Sequence, residues 1–154
     1  MGWKIPLFKI HWDKDDVKYV ADIIRSGMYW AEGEAIGEFE KGLADHAGVK
    51  YCAVFNSGTS ALHALLLAHG IKKGDEVIVP SFTFISTANA ALFIGARPVF
   101  ADIEDLTLGL DPEDVERKIT PKTRAIIPVH YAGCPCRIGE LKKIANKHGL
   151  YLVE

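Results

Sequence analysis

The sequence predicts an α/β fold, a mainly parallel sheet with helices on both faces. From residue 51 onward, short apolar and β-branched runs alternate with segments of helical periodicity, and parallel strands require crossover connections of that kind. The run Arg124 to Val129 is almost wholly apolar, which suits a strand buried on both faces. Asp, Pro, Ser and Gly stand where helices have to begin and end.

Residues 1–12 read as an extended arm punctuated by Pro6, after which Asp13 offers an N-cap to a helix through Val17, Val20, Ile23 and Ile24 that stops near Ser26-Gly27. A second helix fits Ala35 to Ala47, where Ile36, Phe39, Leu43 and Ala47 recur at three- and four-residue steps before the breaker Gly48. Tyr51 to Phe55 reads as a short strand. Val77 to Val79 reads as the next, running into Pro80-Ser81, and a helix from Ser86 or Thr87 carries Ala88, Ala91 and Leu92 to Gly95. Pro98 to Ala101 is a strand. Asp111 caps a helix reaching about Lys118, with Pro112 at the favoured first position and acids in the first turn. After the buried strand Arg124 to Val129 comes a helix from Ile138 to His148, closed by Gly149, and Tyr151 to Val153 begins one more strand.

A chain of 154 residues, 49% of them apolar, can bury one ordinary core. Charged residues nearly cancel, leaving a formal net charge of -2, so no global basic footprint for nucleic acid or an anionic membrane is present. No apolar run is long enough to span a bilayer, and the start lacks a signal peptide's apolar segment. The expectation is a cytoplasmic protein with neither nucleic acid nor membrane as partner. Cys52, Cys134 and Cys136 are an odd set without disulfide-framework spacing and read as free thiols.

The stretch NSGTSALHALLLAHG, residues 56–70, sets Ser57, Gly58, Thr59 and Ser60 between an apolar run and a helix. A helix N-terminus has unpaired N–H groups and partial positive charge, so this turn is a candidate anion site in which Gly58 admits close approach and the hydroxyls add donors. Equally, Ser57 or Thr59 would simply cap the helix. The triphosphate motif Gly-x-x-x-x-Gly-Lys-Ser/Thr and the dinucleotide motif Gly-x-Gly-x-x-Gly are both absent.

Beyond this turn, His130, Cys134 and Cys136, with Cys52, invite a metal reading, but they lack the four-ligand spacing of a structural zinc site. His130 more readily sits at the carboxyl end of its strand, where α/β sheets place their ligand crevice. His63, inside a helix, suits packing or hydrogen bonding. Phe82 and Phe84, read from local sequence alone, are core residues.

The blocks Asn56-Ser57-Gly58-Thr59-Ser60-Ala61-Leu62-His63-Ala64, Gly74 to Phe84 (GDEVIVPSFTF), Gly95 to Phe100 (GARPVF), Pro128 to Gly133 (PVHYAG) and Tyr151 to Glu154 (YLVE), in this order and spacing, resemble the DegT/DnrJ/StrS family of pyridoxal-phosphate-dependent nucleotide-sugar aminotransferases. The resemblance covers essentially the whole chain, including Ser26 to Trp30. It implies the N-terminal part of the large domain of the type I pyridoxal-phosphate transferase fold, an α/β/α sandwich left incomplete, with residues 1–34 as arm and first helix and 35–154 as the truncated cofactor-binding domain. It further implies pyridoxal 5'-phosphate as cofactor, held by Gly58, Thr59 and Ser60 at its phosphate and by Phe84 stacked on its ring, with His130 lining the site. A nucleotide-linked keto sugar as substrate, glutamate or glutamine as amino donor, and a homodimer or higher homo-oligomer follow from the same resemblance. Tyr29 and Trp30 then read as a substrate wall or subunit contact, or else as an apolar staple beside the helix.

The family pattern places an aspartate against the pyridine nitrogen one position past Glu154, and the Schiff-base lysine further on; none of the lysines present matches that lysine. The resemblance therefore implies a chain that is catalytically inactive alone, with the strand Tyr51 to Phe55 left without its neighbours in the sheet. Two other readings stay open: a sugar dehydratase of the same family, and a non-enzymatic pleiotropic regulator.

Overall fold

The computed structural model describes residues 9–27 and 33–154, so most of the expected arm, together with Tyr29 and Trp30, lies outside the described residues. The chain forms two compact units, residues 1–54 and 55–154.

In the first unit, α1 (Lys14–Ser26) starts at a capping box. Asp13 accepts the N–H groups of Asp15 and Asp16 at 2.8 and 3.2 Å, while Asp16 takes the N–H of Asp13 at 2.9 Å, which satisfies the orphan donors that make a helix start costly. The helix ends at Gly27 in the left-handed conformation, φ 66°, which glycine adopts without the Cβ penalty. Helix α2 (Glu34–Ala47) ends the same way at Gly48. Both match the sequence expectation.

The strand expected at Tyr51 to Phe55 is not formed: among the described residues this segment enters no ladder. The N–H of Val54 goes instead to the carboxylate of Glu40, 3.0 Å away. Strand propensity becomes a strand only where a neighbouring strand supplies the bonds, and no strand among the described residues pairs with this segment.

The second unit holds those strands, β1 (Glu76–Pro80), β2 (Arg97–Ala101), β3 (Thr123–Ile126) and β4 (Tyr151–Leu152), in a parallel sheet of order β2-β1-β3-β4. All five residues of β1 are buried, as a central parallel strand requires. Strand β3 stops short of the expected Val129: Ile127 still donates to the carbonyl of Ile78 at 2.9 Å, but Pro128 has no N–H to continue the ladder.

Successive residues of each strand face opposite cores. Val77, Val79, Ala125 and Ile127 pack with α3 (Gly58–Ala68) and α4 (Ser86–Phe93) through Leu66, Ala88 and Ala91. On the other face, Ile78 and Ile126 pack with α5 (Pro112–Lys118) and α6 (Ile138–His148) through Val115, Leu141 and Ala145. The expected two-sided α/β architecture is thus the one observed. The chain steps from β1 to β2 in one direction and from β2 over β1 to β3 in the other, so right-handed crossovers must put α4 and α5 on opposite faces. The order reverses between β1 and β3, and there the loops after the two strands part.

Candidate functional site

Open parallel sheets bind ligands outside the carboxyl ends of their strands, at the point where the strand order reverses. Here that point lies between the loop after β1, residues 81–85, and the loop after β3, residues 127–137. Helix α3 runs through a short connection into the start of β1, so its N-terminus stands at the same edge as the end of β1.

That N-terminus is built by the opening motif. Ser57 is the N-cap, extended at φ -159° and ψ 152°, and its hydroxyl accepts the N–H of Ser60 at 3.1 Å. The hydroxyls of Ser57 and Ser60 are 2.9 Å apart, and Ala61 donates to the carbonyl of Ser57 at 3.1 Å. Ser57 therefore does cap the helix, and the cap leaves donors over: among the described residues the N–H groups of Gly58 and Thr59 have no acceptor. A Cβ added at Gly58 would meet nothing within 4 Å, so the space before the turn is open. Two free amides, the Thr59 and Ser60 hydroxyls and the positive end of the helix form a donor set suited to an oxyanion such as phosphate.

Phe84 sits in the turn that starts α4, where its carbonyl accepts the N–H of Thr87 at 3.2 Å. The residue is 74% exposed, which rules out the core placement that local sequence suggested. Phe82 is also on the surface, but its ring packs against that of Tyr131 with centroids 4.6 Å apart. The two aromatics thereby close the gap between the β1 and β3 loops.

His130 follows β3 at this edge. Its Nδ1 accepts the N–H of Cys136 at 3.1 Å, and its Nε2 lies 2.9 Å from the carboxylate of Glu154 just beyond β4. No hydrogen bond among the described residues joins His130 to Gly58, Thr59, Ser60 or Phe84; these residues share an edge of the sheet. Burial first, and the Glu154 carboxylate after it, push the Cys136 thiol up, which keeps it protonated and a poor metal ligand. No cluster of three His, Cys, Asp or Glu side chains among the described residues has metal-binding geometry. His63 packs edge-on against Phe93, ring centroids 5.8 Å apart, as a packing histidine would.

Sequence reasoning missed the Phe82–Tyr131 pair and the bonds around His130. It also missed a close approach behind them: a Cβ on Gly109 would run into Cβ of Cys136 and come within 3.2 Å of its Cα.

The family described as DegT/DnrJ/EryC1/StrS aminotransferases matches residues 11–154. The chain is 43% identical over 150 residues to the GDP-perosamine synthase of Vibrio cholerae, covering 97% of this chain and 41% of that enzyme. Among solved structures, the pyridoxal-phosphate form of the putative sugar aminotransferase Spr1654 from Streptococcus pneumoniae superposes with a TM-score of 0.88 at 31% identity, covering 98% of this chain and 38% of that one. A GDP-4-keto-6-deoxymannose-3-dehydratase with a trapped PLP-glutamate geminal diamine gives a TM-score of 0.87 at 31% identity, over 96% of this chain and 39% of that one. The chain spans about two fifths of the length of the relatives it matches.

Proposed function

The chain belongs to the DegT/DnrJ/EryC1/StrS aminotransferase family, and from that membership we propose that it supplies the phosphate cup and one ring wall of a pyridoxal 5'-phosphate site. The parent activity in this reading is transfer of an amino group from glutamate or glutamine to a keto group on a nucleotide-linked sugar. The observation that carries the reading is the first turn of α3, with the N–H groups of Gly58 and Thr59 unclaimed among the described residues beside the Thr59 and Ser60 hydroxyls.

Those residues fit the cofactor. The two amides and two hydroxyls would hold its phosphate, the exposed face of Phe84 would cover its ring plane and exclude water, and His130 would line the edge beyond. When bound, the cofactor's pyridine ring supplies the electron sink that the reaction needs. The family's pyridine-nitrogen aspartate and Schiff-base lysine match no residue among the 154, so in this reading the chain by itself holds the cofactor without turning over, while the parent enzyme works as a homodimer or higher homo-oligomer. The likeness to the dehydratase supports a second reading, in which the same site serves removal of a sugar hydroxyl.

Ser60 is the third residue of α3, where an acid favours the helix dipole by about 0.3–1 kcal/mol. The variant Ser60→Asp should keep the fold while its carboxylate repels phosphate, lowering pyridoxal 5'-phosphate retention in equilibrium dialysis about tenfold or more, a loss of about 1.4 kcal/mol. Unchanged retention by a folded Ser60→Asp chain contradicts the phosphate cup. The chain mixed with the cofactor should not consume glutamate, and borohydride treatment of a parallel sample should fix no cofactor on a lysine; glutamate turnover by the unreduced mixture would overturn the proposed inactivity.

A further inference from the structure

Both ring nitrogens of His130 are engaged, and one partner leaves no freedom of proton placement. The Cys136 amide can only donate, so Nδ1, 3.1 Å away, must carry the lone pair. The single proton of the neutral ring then sits on Nε2 and points at the Glu154 carboxylate, 2.9 Å off. We propose that His130 is a positioning residue that, in this one tautomer, ties the Glu154 carboxylate beyond β4 and the 131–136 loop to the end of β3, fixing the wall of the crevice on which Tyr131 stands.

The loop needs such a tie. Ala132 holds φ 52° and Gly133 φ 79°, two successive left-handed residues of which the first bears a Cβ, a conformation that costs on the order of 1–2 kcal/mol for a non-glycine residue. The 3-10 turn Tyr131–Gly133 contains them, and the Cys136 amide bond to His130 closes the loop behind it. On the far side, Gly109 lies so close to Cys136 that the loop cannot relax in that direction.

The groups facing the ring also set what its protonation does. Glu154 faces it from just beyond β4 and the Cys136 amide from the loop before α6, and Glu104 adds its charge to that of Glu154 at Cys136. A second ring proton has to enter at Nδ1, where it meets the Cys136 N–H donor to donor. Protonation therefore turns the Glu154 contact into an ion pair and releases the Cys136 amide.

The inference rests on the reading of the carboxyl edge as the ligand crevice, but its test needs no cofactor. Long-range nitrogen-15 spectra of the unaltered, ligand-free chain at neutral pH should show His130 Nδ1 without a proton and Nε2 with one. On acidification the Cys136 amide resonance should move with the same midpoint as the ring. Amide exchange at Cys136 should speed up about tenfold in His130→Phe and stay slow in His130→Asn, whose side-chain oxygen replaces the Nδ1 acceptor. A protonated Nδ1 at neutral pH, or a Cys136 amide indifferent to ring titration, overturns the proposal, and both are read on the wild-type chain whether or not the variants fold. Failure of pyridoxal 5'-phosphate to bind, with the tautomer as stated, would count against the crevice and leave the positioning role standing.

Discussion

The ring of Phe82, in the loop after β1, lies against that of Tyr131, in the loop after β3, with centroids 4.6 Å apart and planes inclined by 38°. The pair spans the point where the strand order reverses. It holds together two loops that otherwise leave toward opposite faces of the sheet, while Phe84, two residues on, keeps its ring free.

This division of labour between the two phenylalanines is measurable. Phe82→Ala should destabilise the chain by at least the pairing contribution of about 0.5–1.5 kcal/mol, read by urea unfolding. Phe84→Ala should leave stability within about 0.5 kcal/mol, as for other exposed positions, and weaken pyridoxal 5'-phosphate binding. The reverse pattern would place Phe84 in the packing and Phe82 in the site.

Ser57 acts as cap, separately from the proposed cofactor contacts of the next three residues. Ser57→Ala frees the Ser60 N–H and should cost about 1 kcal/mol of stability, the usual effect of losing a serine cap, visible as a lower urea midpoint at unchanged slope. An unaltered midpoint would mean that the hydroxyl does not stabilise the helix.

Gly109 backs the His130 region. Gly109→Ala introduces a Cβ against Cβ and Cα of Cys136, and since backbone is involved the clash should cost about 1–3 kcal/mol. The Cys136 amide resonance should shift as well. A stable variant with that resonance in place would show that the loop has room.

Asp114, buried in α5, takes the N–H of Asp102 at 2.7 Å and pairs with Arg117 and Lys118, each 3.0 Å away. The Asp102 amide first, then the two cations, hold its carboxyl below the ordinary aspartate range. The folded chain thus favours the ionised form: this stability is fully present above the ordinary aspartate value and drains away as pH falls through the lowered one. Asp114→Asn should cost about 1–3 kcal/mol at neutral pH, and the gap to wild type should narrow on acidification in urea titrations. A gap constant with pH would contradict the charge-based account.

Local signals account for much of what was legible in the sequence. Asp13 and Asp111 start helices, and Gly27, Gly48 and Gly149 end them, by mechanisms confined to a few neighbouring residues, and all five sit where expected. The apolar runs of β1 and β3 announced burial on two faces. Tyr51 to Phe55 has a strand's composition but no partner strand among the described residues, and pairing is not written in residue type alone. At the start of α3, the cap at Ser57 was legible because cap chemistry is local. The His130 bonds were hidden because a backbone amide six residues on carries no signature in residue type, and the Gly109 approach joins segments 27 positions apart.

The phosphate cup itself is tested most directly by following the amide resonances of the nitrogen-15-labelled chain during parallel titrations with pyridoxal 5'-phosphate, inorganic phosphate and pyridoxal. The account predicts that the two phosphate-bearing ligands shift Gly58, Thr59 and Ser60 and that pyridoxal leaves those three in place. Shifts confined to other residues, or the same shifts with pyridoxal, would contradict it.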